Sequence, residues 1–192
     1  IIGTLSKQAE ETGDFETFMV TPDKDFAQLI AERTYMWKPG RKGGEHDVIG
    51  LTRMREIWEV DTPDQVIDIL GLMGDTSDNV PGVPGIGQKT AQKLIAQYGT
   101  MENLLDNLDD LKGKQKERLE ENRDQALLSK RLVTIVTEID LDIGPSDLDV
   151  RVLGEVDPDG ADLARSDHEA VGAVVVGQRA QPVAVQRRAD AH

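Results

Sequence analysis

The chain has 192 residues, with 22 Lys and Arg against 36 Asp and Glu, a net charge of −14, no Cys and three His. That length holds one domain or two small ones around a real core; a hydrophobic fraction of 38% excludes a wholly disordered chain, and no apolar run reaches the roughly eighteen residues of a membrane-spanning helix. Without thiols there is no disulfide scaffold, thiolate zinc site, iron–sulfur cluster or cysteine nucleophile, and His46, His168 and His192 share no ligand spacing, so any catalysis leans on carboxylates.

In chain order, Ile1, Ile2, Leu5 and Ala9 fall near helical spacing, and residues 17–21 (TFMVT) have the β-branched and aromatic content of a buried strand. Residues 26–30 start another short helix, 33–37 resemble a strand, and 39–44 (PGRKGG) form a turn-rich loop. Thr62-Pro63-Asp64-Gln65 supplies a Thr cap, Pro at the first helical position and Gln at the third, which predicts a helix from about Pro63 to Met73. After it come only helical signals: 88–98 closing at Gly99, 101–108, 114–121 and 125–136. The body, 1–143, therefore divides near residue 60 into an α/β part (1–60) and an all-helical part (61–143).

From Gly144 to His192 the chain has no aromatic, Lys or Ile. Val174, Val175 and Val176 suit one strand, but bulky apolar side chains are too few to offset the entropy of ordering, so 144–192 reads as a disordered or foreign tail. At the other end, the sequence opens without an initiator Met and without a charged-then-apolar leader, which reads as a fragment with no signal peptide.

Three motifs carry chemistry. Thr21-Pro22-Asp23-Lys24-Asp25 lies at the C-terminal end of a predicted strand, where α/β sheets bind ligands, and Asp23 and Asp25 suit a hard cation; a surface turn is the competing reading. Gly74-Asp75-Thr76-Ser77-Asp78-Asn79 follows the apolar helix, and Asp75 and Asp78 at i, i+3 either share an ion or cap a helix start. Two acidic pairs with no nucleophile or His base favour metal, and Asp23, Asp25 and Asp75 are expected to converge within direct or one-water distance of a common cation position.

The third motif runs from Val80 through Gly82, Gly85, Ile86, Gly87, Gln88, Lys89 and Thr90 to Ala91 and Lys93. A net charge of −14 opposes nucleic-acid binding, yet residues 79–101 contain no acid at all while carrying Lys89 and Lys93. Glycines at 82, 85 and 87 allow a tight turn ahead of a helix whose first N–H groups face outward, a phosphate-binding arrangement. Gln88 interrupts the Gly-Lys of a Walker A loop, and Thr90 stands where a dinucleotide fingerprint has Gly. A helix-hairpin-helix fits instead, gripping one DNA strand through backbone amides and Lys89 without reading bases; a plain glycine-rich connection is the alternative.

TPDKDFAQLI and LMGDTSDNVPGVPGIGQKTA, with the helical stretch that follows, closely resemble the 5′-nuclease (5′ to 3′ exonuclease) domain of bacterial DNA polymerase I, in the flap endonuclease family. The resemblance covers about residues 1–143. It implies α/β architecture: the C-terminal part of a PIN-like core, then an all-helical helix-hairpin-helix domain. By resemblance Asp23, Asp25, Asp75 and Asp78 match metal-site carboxylates for Mg²⁺ or Mn²⁺, and Gly82, Gly85, Gly87, Gln88, Lys89, Thr90 and Lys93 belong to the hairpin that holds DNA, with a K⁺ ion there. The implied activity is hydrolysis of phosphodiesters in duplex, nicked or 5′-flap DNA, in the bacterial cytoplasm at the nucleoid, with a polymerase domain in the parent protein and no membrane partner. Family members carry further acidic residues, including a Glu-Ala-Asp-Asp motif, ahead of the segment resembling residues 1–5. A catalytically incomplete DNA-binding fragment is therefore the second expectation, and residues 17–21 are expected to expose a strand edge.

Overall fold

The computed structural model describes residues 1–40, 45–147 and 173–178. Helix α1 (Ile2–Thr12) buries Leu5 and Ala9 and closes at Gly13, whose φ of 77° suits glycine. Strand β1 (Phe15–Val20) alternates, with Phe15, Thr17 and Met19 inward. A 3₁₀ turn (Lys24–Leu29) then crosses over to β2 (Thr34–Lys38), which pairs parallel to β1 with Thr17 opposite Thr34 and Val20 opposite Trp37. On the other sheet face Phe18 stacks on Tyr35 with ring centroids 5.2 Å apart.

Two elements escape the sequence reading. Strand β3 (Asp47–Ile49) pairs antiparallel to β2, and α2 (Leu51–Trp58) follows it, burying Met54 and Trp58 one turn apart. The edge expected at 17–21 is not exposed: β4 (Ala173–Gln178) pairs antiparallel along the whole of β1, giving the sheet order β3-β2-β1-β4. The three valines at 174–176 do form a strand, and it satisfies the β1 backbone groups that motivated the edge expectation. The rest of the tail beyond Asp147, like residues 41–44 of the Pro39 loop, lies outside the described residues.

The helices follow in the expected order: α3 (Asp64–Met73), α4 (Gln88–Tyr98), α5 (Met101–Asp106), α6 (Gly113–Glu121) and α7 (Arg123–Val133). Gln65 Oε1 accepts from the Asp61 and Thr62 N–H groups, at 2.8 and 3.2 Å, the Gln half of the anticipated capping box. Residues 101–108, expected as one helix, end instead at Asp106, with a separate 3₁₀ turn at Leu108–Asp110. One apolar cluster runs from Met19 and Met36 through Val66, Ile69, Leu70 and Leu72 to Leu119 and Val133. Helix α3 sits in its middle and packs so closely on α7 that a Cβ at Gly71 would lie 2.9 Å from the Lys130 Cα. Both chemically interesting turns hang from the ends of this buried helix and its neighbours.

Candidate metal and nucleic-acid site

Because β1 and β2 are parallel, their C-terminal ends open at one edge, and the chain leaves β1 there through Thr21 and Pro22. Thr21 Oγ1 accepts from the Asp23 N–H at 3.1 Å, and Asp23 caps the 3₁₀ turn by accepting from the Asp25 N–H at 3.0 Å. These local bonds fix the turn that carries Asp25, whose Oδ1 is buried and accepts no hydrogen bond. Asp75 arrives from the end of α3. Gly74, with φ 70°, turns the chain; Asp75 and Val80 exchange both backbone hydrogen bonds, at 2.9 and 2.7 Å, and Asp75 Oδ1 accepts from the Ser77 N–H at 2.7 Å.

Lys24 joins the two motifs: its Nζ forms an ion pair with Asp75 Oδ2, whose side chain is 8% exposed. That pair holds the Asp75 carboxyl below its usual range, helped by the Ser77 and Asp78 N–H groups and opposed by burial. Asp25 moves the other way. Burial first, then the Asp23 charge, push it up to about 6, with Asp75 and Asp78 adding and Lys24 opposing. Asp23, Asp25, Asp75 and Asp78 therefore occupy one electrostatic neighbourhood, although Asp23 and Asp78 are exposed. Among the described residues no three acids or imidazoles close on a single point tightly enough to hold a metal ion by themselves. Lys24 stands between the two motifs, paired with Asp75.

The hairpin begins where this acidic turn ends. Gly82 (φ 58°) is buried, and a Cβ there would lie 2.4 Å from the Gly74 N. Its N–H donates to Ser129 Oγ at 3.0 Å, its carbonyl accepts from Gln125 Nε2 at 2.7 Å, and the Val83 N–H reaches the Leu72 carbonyl at 2.8 Å. Gly82 is thus a docking point inside the fold, which corrects the expectation that it faces DNA. Gly85, Gly87, Gln88, Lys89 and Lys93 are exposed and Thr90 is half-buried. The Thr90 and Ala91 N–H groups both bond the Gly87 carbonyl at 3.0 Å, so the earlier N–H groups of α4, at Gln88 and Lys89, lie ahead of its hydrogen-bond ladder.

Three residues near the hairpin carry no local sequence signal. Arg118 of α6 lies over Gly85, donating from Nη1 to its carbonyl at 3.3 Å, and a Cβ at 85 would collide with the guanidinium. Glu59, in the left-handed conformation at the end of α2, pairs with Lys89 at 2.6 Å. Lys89 therefore does have a compensating acid, thirty residues away in sequence. Gln92, buried on α4, ties the two helices together by donating to the Trp58 carbonyl at 2.8 Å. A retrospective signal exists only for α2, in the spacing of Leu51, Met54 and Trp58.

Comparison with known proteins gives a consistent set of likenesses. The family model described as 5′-3′ exonuclease, C-terminal SAM fold, matches residues 61–155. DNA polymerase I of Bacillus subtilis (strain 168) is 44% identical over 150 residues, covering 78% of this chain and 17% of that protein. DNA polymerase I of Bacillus caldotenax is 44% identical over 151 residues, 77% of this chain and 17% of its own length. The chain thus spans about a sixth of the length of these relatives. Among solved structures, a bacteriophage T5 flap endonuclease in a pseudo-enzyme-product complex with DNA and metal ions superimposes with a TM-score of 0.59 at 25% identity, covering 68% of this chain and 47% of that one. The zinc-bound T5 5′-exonuclease gives 0.58 at 25% identity, over 69% and 48%.

Proposed function

Because this chain belongs to the 5′-3′ exonuclease family, we propose that it forms part of a metal-dependent 5′ to 3′ exonuclease and 5′-flap endonuclease of the DNA polymerase I type. Its substrates are duplex, nicked or flapped DNA in the bacterial cytoplasm, with a polymerase domain in the parent protein. The observation that carries this reading is the meeting of two acidic motifs, 51 residues apart, at Lys24 and Asp75, with Asp75 on the short turn that leads into a glycine hairpin. The T5 structures, one with DNA and metal ions and one with zinc, support it.

The residues fit a hard divalent cation. Asp25 offers a buried carboxylate oxygen without a partner, Asp75 and Asp23 are its neighbours, and all donors are oxygen, as Mg²⁺ or Mn²⁺ prefer. When bound, such a cation supplies the Lewis acidity that phosphodiester hydrolysis requires. Asp75 and Asp25 would hold it, while Asp23, capping the 3₁₀ turn, fixes the backbone that aims Asp25. The hairpin's work is binding: amides at Gln88 and Lys89 with the Lys89 and Lys93 ammonium groups take phosphate oxygens without reading bases.

Asp25→Asn tests the metal site without an activity assay. Asp25 titrates near 6 in the fold against an ordinary value of 3.8, so its stabilising contribution is present below about 3.8 and is lost as pH rises through about 6. At pH 7.5 the Asn variant should be more stable by about 2 kcal/mol, after allowing for solvent screening. That gain should vanish below about pH 4. Mg²⁺ or Mn²⁺ should raise the melting temperature of the wild type and not of the variant. A wild type whose melting ignores both ions contradicts the metal reading.

Lys89→Ala should weaken duplex binding about equally for all sequences and lower the salt slope by about one. Gly87→Ala, with open space around the added methyl and an ordinary φ of −94°, should leave melting unchanged yet reduce affinity by obstructing close backbone approach. Fluorescence anisotropy in Ca²⁺ at several salt concentrations measures both, and a loss that depends on base sequence rejects the hairpin assignment.

A second reading is favoured by one observation: among the described residues no three acids gather on one point. On that reading the chain binds DNA without cutting it. Cleavage of a labelled 5′-flap in Mg²⁺ or Mn²⁺, beside a gel shift in Ca²⁺, separates the two.

A further inference from the structure

Lys24 is flanked in sequence by two carboxylates and does not pair with either as an ion pair; it reaches across to Asp75. Asp23 is occupied with the Asp25 N–H, and Asp25 lies half-buried. The ammonium thus sits where the two acidic motifs meet, at the end of a side chain 41% exposed and against an Asp75 side chain that is nearly covered. Among the described residues it is the only cation paired with any of the four acids.

We propose that Lys24 is the built-in counter-ion of the carboxylate site: it occupies Asp75 when no divalent cation is bound and must leave Asp75 for one to bind, so cation binding here is an exchange of one charge for another. This inference rests on the metal reading above and adds to it a residue that sets metal affinity. It accounts for one fact: among the described residues three acids do not close on a point. With a lysine across the gap, mutual repulsion among the acids is relieved without their converging.

Two consequences have opposite signs. Removing the ammonium removes a competitor, so divalent cations should bind more tightly. It also leaves the acids uncompensated, so the cation-free protein should be less stable. A residue with a merely structural role weakens both together, because a loosened turn holds a cation less well.

The test is isothermal titration of the full chain with Mn²⁺ and with Ca²⁺, for the wild type and for Lys24→Met, Lys24→Gln and Lys24→Arg, with melting followed in the absence of divalent ions. Loss of a partly desolvated ion pair should show as an affinity about tenfold higher in the Met and Gln variants. Their cation-free melting temperature should fall by a few degrees, and the difference should shrink at high salt. The Arg variant should behave like the wild type. If the Met or Gln variant is unfolded without cations, its refolding midpoint on Mn²⁺ titration gives the affinity instead. Saturable binding by the wild type with equal or weaker binding in Lys24→Met and Lys24→Gln overturns the counter-ion role and leaves the metal reading standing. No saturable binding in any of the four proteins overturns both.

Discussion

Gly82→Ala should destabilise the protein by at least about 3 kcal/mol, lowering the melting temperature by roughly 10 °C in a chain of this size. Two costs add. A φ of 58° places residue 82 in the left-handed region, where a Cβ costs about 1–2 kcal/mol. The methyl would also lie 2.4 Å from the Gly74 N and 2.6 Å from the Met73 carbonyl carbon. Those are backbone atoms at the end of a buried helix, so they cannot swing aside as a flexible side chain does. Relief would have to come from moving the turn, breaking its bonds to Ser129 and Gln125. Cation stabilisation and duplex affinity should therefore fall together in Gly82→Ala, whereas Gly87→Ala touches DNA alone. Thermal unfolding with and without Mn²⁺, beside anisotropy on a duplex, reads all three quantities. A Gly82→Ala protein with unchanged melting shows that this contact is not as tight as the geometry requires.

Lys130→Met should cost about 3 kcal/mol at neutral pH. Asp68 lies inside α3 with its side chain 3% exposed, and Lys130 Nζ on α7 is 2.6 Å from its Oδ1 and 2.8 Å from both Glu102 oxygens. Burial already pushes the Asp68 carboxyl up, with Lys130 opposing. Without the ammonium, an unpaired carboxylate remains in the core and its pKa climbs further. Since a raised folded-state pKa means stability lost as pH rises through it, the deficit of Lys130→Met should be largest at neutral pH and should shrink on acidification. Replacing both charges, with Asp68→Leu added, should recover most of the loss, because the cost lies in the uncompensated charge. Denaturant unfolding at two pH values decides the matter; a double variant no better than the single one would show that the cost does not lie in the uncompensated Asp68 charge.

Much of the fold is legible because its signals are local. The Gln65 cap, the apolar period of α3 and the close at Gly99 each depend on a handful of adjacent residues, and each appears where the sequence points. Strand β3 has three residues, too few for any period to show, and a charged stretch around α2 masks the spacing of Leu51, Met54 and Trp58. The pairing of β1 with β4 joins residues more than 150 apart, a distance over which no pattern carries. Site residues divide the same way. Carboxylates at strand and helix ends announce themselves, and so do hairpin glycines. Lys24 as a bridge, Glu59 opposite Lys89 and Arg118 over Gly85 are set by tertiary packing alone, and Gly82 looks from sequence like its exposed neighbours until the fold buries it.

The segment between the acidic turn and the hairpin has a mechanical meaning of its own. From Asp75 to Gly85 the chain is cross-linked at each stage: Asp75 to Val80, Gly82 against Gly74, and Val83 to Leu72. Such a segment transmits position without play. Backbone resting on Gly85, Gly87 and Lys89 is, on the proposed activity, presented to Asp75 at an offset this segment sets, in the way a machinist's stop sets the length of a cut. On the proposed activity, distance along the DNA is then measured by this brace and not by the order of the bases.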